Sequence, residues 1–174
     1  MYTPSSFSVE DNSFGIVISR CGEDFHDTHT PLYSSSDLNY LYGHIAKANH
    51  QWNEWKTCPQ VKVIFRGTHI LISPSYYVGE FNVPIWNYTA VSISGKVEIL
   101  DSLDEQKEVI RSLVDKNEKL FPKPWKFDEE DERLTSLFKA IVCFRVKVQT
   151  IEGKFKLNQN KDIEDRLSVI QHLK

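Results

Sequence analysis

Apolar and polar residues alternate most clearly from Val83 to Gly95, in the run Val-Pro-Ile-Trp-Asn-Tyr-Thr-Ala-Val-Ser-Ile-Ser-Gly. Trp86 and Tyr88 share one face of a strand with Ala90, Ser92 and Ser94, while Val91, Ile93, Val97 and Ile99 share the other. The second face reads as core. The first reads as an aromatic rim above a floor of small residues, against which a flat ligand can lie. A strand from Val83 to Leu100 follows, with Gly95 marking a bulge or bend.

Similar patterns place the other elements. Phe14 to Ser19 reads as a short strand, and Leu38 to Ile45 as a weaker one after a loop carrying His26, His29 and Pro31. Val61 to Ile72 is rich in Val, Ile and Phe and stops before Pro74. Ala140 to Ile151 sets Val142, Phe144, Val146 and Val148 opposite Arg145, Lys147 and Gln149. Helical spacing appears behind a Ser102–Glu105 capping box, with Val109, Ile110, Leu113 and Val114 as its stripe. Further helices are expected over Glu129–Lys139, with Leu134, Leu137 and Phe138 inward, and over Lys161–Leu173. Asn160 would cap the latter, which would bury Ile163, Leu167 and Ile170. A short helix after Asn49 carries Trp52 and Trp55 and ends before Pro59. Antiparallel strands with helices set aside predict a mainly β, α+β barrel in one domain spanning residues 1–174. No strand–Gly-rich loop–helix fingerprint is present, which rejects a doubly wound dinucleotide fold.

Composition narrows the partners. The 174 residues are 40% hydrophobic and 26% charged, ordinary for a globular domain. A net charge of -3 and a pI near 6.1 argue against a large nucleic-acid surface, although positive charge gathers between Lys139 and Lys161. Three widely spaced cysteines, Cys21, Cys58 and Cys143, lead us to expect no disulfide framework, and no CxxC pair exists. No apolar run approaches the ~18 residues of a membrane span, and the N-terminus does not read as a secretory signal. A cytoplasmic protein is the expectation.

Candidate chemistry concentrates in two segments. In Gly43-His44-Ile45-Ala46-Lys47-Ala48-Asn49, a lysine precedes a helix start, an arrangement suited to phosphate; equally, Asn49 can simply cap and Lys47 be solvated. Lys154 to Asn160 is dense in donors and acceptors that could read a heterocycle, or could form a capping loop using Asn160. His26 and His29, without companion Cys or carboxylate patterns, are weak grounds for a metal. His69, on the face of Phe65 and Leu71 by simple alternation, reads as a core or rim histidine. No GxSxG elbow marks a nucleophile.

With these segments in view, the chain resembles the PaiB-type negative transcriptional regulators along nearly its full length. The resemblance rests on Met1-Tyr2-Thr3-Pro4 with Phe7, Thr28-His29-Thr30-Pro31-Leu32, and the His44–Asn49 segment with Gln51-Trp52. It continues through Val63-Ile64-Phe65 with Gly67 and His69, Val83-Pro84 with Trp86-Asn87-Tyr88, and Glu152 to Leu157 with Gln159-Asn160. It implies a flavin-binding split barrel of six antiparallel strands with flanking helices, forming a homodimer that holds FMN at the subunit interface. Carried over by position, His44, Lys47, Asn49 and Trp52 would hold the phosphate segment. Trp86 and Asn87 would approach the isoalloxazine, and Lys156, Gln159 and Asn160 would close the pocket from the partner. Arg66 stands where the family usually has Gln, His50 where it has Pro, and Cys143 where it has Gly. The implied function is FMN-binding transcriptional regulation, with DNA or a regulatory protein as partner. A small FMN-dependent oxidoreductase of the pyridoxamine phosphate oxidase-like type and a cofactor-free interaction module are the alternatives.

Overall fold

In the computed structural model, which describes residues 12–128 and 131–174, β1 (Phe14–Cys21) turns into β2 (Asp24–Ser34) through Gly22. The φ of +66° at Gly22 explains the glycine, because a Cβ is strained there. β3 (Tyr40–Ala46), β4 (Gln60–Ile72), β5 (Ile85–Ile99) and β6 (Ile141–Lys156) follow. Every pairing is antiparallel, and the order β1-β2-β3-β6-β5-β4 returns to β1 as a six-stranded barrel. The inward residues Val17, Leu32, Val63, Phe65, Phe144 and Val146 are fully buried and form its core.

Two irregularities shape the barrel. The β5–β6 register shifts at Ser94/Gly95, where a Cβ on Gly95 would sit 2.4 Å from the Lys147 carbonyl oxygen. Only glycine allows that approach, as the sequence pattern suggested. In β4 an extra residue lies between Arg66, paired with Ala90, and His69, paired with Tyr88. This bulge reverses the alternation, so Phe65 points inward while His69 and Leu71 face out. The expected shared face of Phe65, His69 and Leu71 is therefore corrected.

Helices close the ends. α1 (Gln51–Glu54) is a single turn at one barrel mouth, with Trp55 packed on Phe144 at a ring separation of 4.8 Å. Buried Gln51 donates to the Val17 carbonyl (3.1 Å), Ser19 Oγ (2.9 Å) and the His26 carbonyl (3.1 Å), tying the turn to β1 and β2. α2 (Leu103–Glu118) covers β3 and β6 through Val109 and Leu113, which pack on Cys143. α3 (Glu132–Phe138) precedes β6. α4 (Ile163–His172) packs on the 3-10 turn Pro74–Tyr76 after β4.

Several expectations are revised. The His26–Pro31 segment is strand, not loop, because β1 supplies its ladder. Ser102 begins α2 without a side-chain capping bond. Asp131 caps α3, and Leu137 is exposed rather than inward. Asp162, not Asn160, precedes α4. That helix buries Asp165 and Val169, because the Asp165 carboxylate accepts the Val78 (2.8 Å) and Gly79 (3.1 Å) amides. Ile163, Leu167 and Ile170 are consequently left on the outer face. Cys21 and Cys58, 37 residues apart with Cα atoms 5.6 Å apart, form a disulfide, against expectation. Fold topology brings them together from the end of β1 and the turn after α1. The Met1–Pro4 and Phe7 signatures and the start of the Glu129 helix lie outside the described residues.

Gln51 anchors α1 through a side-chain amide shared among the Val17 carbonyl, Ser19 Oγ and the His26 carbonyl, so Gln51→Ala removes all of these ties and leaves buried Ser19 Oγ without that donor. We expect a loss of about 2–3 kcal/mol and a fall of roughly 6–10 °C in melting temperature, read by calorimetry.

Candidate functional site

The bulge in β4 opens a groove on the outer barrel wall. Arg66, Gly67, His69, Trp86, Tyr88, Thr89 and Ala90 line a space of about 460 Å³. Trp86, Tyr88 and Ala90 arrive from one face of β5, as their alternation predicts. The rings of His69 and Trp86 lie 6.2 Å apart, tilted by 35°. A Cβ on Gly67 would fall 2.1 Å from Thr89 Oγ1, so any side chain there requires the Thr89 hydroxyl to rotate away. A second lobe of about 300 Å³ shares Arg66, Gly67 and His69 and extends over β1 and β2 past Phe14, Ile16 and His29.

His44 belongs to the same outer band. Thr30 Oγ1 donates to the His44 carbonyl at 2.6 Å, and β2 pairs with β3 at Leu32↔Gly43. The next step of that register sets His44 beside Pro31, which pairs with Phe14. Phe14 and Arg66 line one lobe. Three strand spacings therefore separate His44 from Arg66, roughly 14 Å along the sheet. Burial holds the His44 imidazole below its ordinary pKa of 6.5, and its buried Nδ1 has no partner among the described residues. Lys47 is exposed just beyond, and no hydrogen bond or ion pair of its ammonium is seen among the described residues.

Other candidates are already committed to structure. Asn49 donates to Thr28 Oγ1 (2.7 Å) and accepts the Gln51 amide (2.9 Å). Trp52 Nε1 donates to the Lys47 carbonyl at 2.9 Å, and Lys56 lies over its ring. Both residues thus shape the segment that presents Lys47. Because α1 is only four residues long, it offers no sustained dipole for an anion. Trp86 faces the groove, whereas its neighbour Asn87 is buried on the opposite side with Oδ1 unpartnered among the described residues.

The third group stands apart within one protomer. The Lys47 amide donates to the Ala140 carbonyl, immediately before β6 begins, while Lys156 ends that strand. The two candidate groups therefore occupy opposite ends of β6. Gln159 is folded onto its own turn, accepting the Leu157 amide and donating to the Phe155 carbonyl, both at 2.8 Å. Lys156 and Asn160 are exposed. Tyr88 was expected at the rim beside Trp86, whereas Arg66 and Thr89 were not among the residues singled out for the site. Their signal was present only as the Gly67 break in an otherwise regular strand.

The chain matches, over residues 1–150, a family model described as "Putative FMN-binding domain". It belongs to that family. A Bacillus subtilis relative, "Protease synthase and sporulation protein PAI 2", is 37% identical over 99% of this chain and 89% of its own. Two solved structures share the fold. The flavocytochrome Anf3 from Azotobacter vinelandii has a TM-score of 0.64 at 13% identity, covering 91% of this chain and 69% of its own. The FAD- and heme-binding protein from Mycobacterium smegmatis has a TM-score of 0.65 at 9% identity, covering 92% and 73%. The fold is the flavin-binding split barrel, as the resemblance implied.

FMN is the cofactor of this family, and the donor set fits it. A flat tricyclic ring needs an apolar-edged slot, and the Trp86 groove lies within the roughly 300–1,000 Å³ range of ligand pockets. Its phosphate needs a cation, which Arg66 and Lys47 offer at the groove and along the band. Neutral His44 keeps a buried ring nitrogen unpartnered among the described residues.

The low His44 pKa has a defined sign. The unfolded chain takes up this proton more readily, so stability falls as pH drops through about 6.5 and below. His44→Gln should flatten that portion of the pH dependence of melting between about pH 8 and pH 5. An unchanged slope would place the titrating group elsewhere.

Proposed function

We propose that this chain is an FMN-binding regulator of the PaiB type that works as a cytoplasmic homodimer. The observation that carries the reading is the Arg66–Trp86 groove, with His44 three strand spacings away on the outer face of β3 and Lys47 just beyond it. A flavin lying along the groove would set its ring between Trp86, Tyr88 and the Ala90 floor. His44 and Lys47 would hold the phosphate, and Asn49 and Trp52 would fix the backbone that presents them. Lys156 and Asn160, at the other end of β6, would reach the flavin of the partner subunit, which gives the dimer a reason to exist. Bound flavin supplies one- or two-electron redox chemistry. The protein's own contribution is to bind, to orient the ring through Trp86 and Tyr88, and to limit water at Ala90 and Gly67.

The regulatory part draws on the Bacillus subtilis relative, whose name ties it to protease synthesis and sporulation. The acidic net charge favours action through a partner protein over direct operator contact. An oxidoreductase role for the same groove would show itself as NAD(P)H-dependent bleaching of the flavin under anaerobic conditions.

Purified protein should be yellow, or become so with added FMN, and should elute as a dimer by light scattering. Lys47→Ala should weaken FMN binding about tenfold and riboflavin binding less than about twofold, because only FMN carries the phosphate. Equal losses would remove Lys47 from the phosphate site, and protein that refuses FMN would end the reading.

A further inference from the structure

We propose that Cys21 and Cys58 form a reversible thiol–disulfide site whose redox state sets the rigidity of the Lys47–Gln51 segment. The pair closes a loop of 37 residues in sequence separation, which contains β2, β3, Lys47, Asn49 and α1. Cys21 ends β1, and Cys58 follows α1 immediately before β4. The disulfide therefore staples the plug of the barrel mouth to the wall that it seals.

Three features suit exchange at this position. Both cysteines are only half-buried, and Gly22, Lys56 and Thr57 around them are exposed, so a small thiol can reach the sulfurs. The Thr57 hydroxyl lies 3.9 Å from Cys21 Sγ and 3.8 Å from Cys58 Sγ, where it can donate to a sulfur released as thiolate. The third cysteine does not compete: burial pushes the Cys143 thiol up to about 12, and it lies beneath α2. In the reductive direction a dithiol reductant attacks one sulfur as thiolate, and the Cys21–Cys58 bond breaks as a mixed disulfide forms. The reductant's second thiol then resolves it. The protein gains two electrons and two protons, and the dithiol becomes a disulfide.

The consequence passes through the hydrogen bonds of the plug. Asn49 is bonded to the Gln51 amide, and Trp52 Nε1 to the Lys47 carbonyl, so loosening α1 loosens the lysine. Gln51, and His26 bonded to Glu54 at 2.8 Å, still hold the turn after reduction. The site thus tunes the segment without unfolding the barrel. Its effect on cofactor affinity rests on the flavin reading above, whereas the exchange itself does not.

The test uses the full chain equilibrated in oxidised glutathione or in dithiothreitol. Thiols counted after denaturation should rise from one to three. Melting temperature should fall by about 10 °C on reduction. The Kd for FMN should rise at least about fivefold. The double variant Cys21→Ser, Cys58→Ser should match the reduced protein and ignore dithiothreitol. Three thiols in the oxidised sample would overturn the proposal, as would equal melting temperatures. Equal FMN affinities in both states would overturn the coupling. Failure of both forms to bind FMN would count against the flavin reading alone, with thiol count and melting deciding the switch.

Discussion

The long ladder between β5 and β6 is the constraint on which the other features depend. It runs from Tyr88↔Lys156 to Ile99↔Phe144 and must bend to close a ring with only six strands. Gly95 permits the bend by letting the Lys147 carbonyl approach where any side chain would collide. Once the ladder bends, β6 can pair with β3 at one end and leave Lys156 at the other. The same ladder thus positions the groove on β5 and separates the two basic groups that a single protomer cannot bring together.

A second layer of order comes from polar groups buried on purpose. Gln51 exchanges hydration for three acceptors, and Asp165 gathers two backbone amides at the foot of α4. Each satisfies groups that would otherwise be stranded, and each fixes a helix too short or too polar to hold itself. His44, Asn87 and Asn158 are the contrast. They keep a buried polar atom unpartnered among the described residues, and His44 lies on the outer face of β3, three strand spacings from the groove.

Strand faces in this molecule were legible wherever alternation was unbroken. Val142 to Val148 and Val91 to Ile99 show their faces directly in sequence, and so does the Trp86–Tyr88–Ala90 rim. Where a tertiary contact overrides the pattern, it misleads. His69 is displaced by one extra residue in β4. The stripe Ile163, Leu167 and Ile170 reads as core, yet α4 docks through Asp165 because two free amides lie beside Val78 and Gly79. Cys21 and Cys58 are distant in sequence, and only the closure of β1 against α1 makes them neighbours. Of the site, Trp86, His44 and Lys47 were visible as types in a pattern, while Arg66 needed the bulge to reveal its lobe.

That bulge also limits how the groove can change. Removing one residue between Arg66 and His69 would restore plain alternation and turn His69 and Leu71 inward. Ile72, now fully buried against Tyr77 and Val169 beneath α4, would be turned away from that cluster, and α4 would lose part of its seat. Within this chain, substitution around Gly67 changes the groove while leaving the β4 register in place. The length of β4 behaves as a fixed quantity, and the groove can be retuned only by substitution.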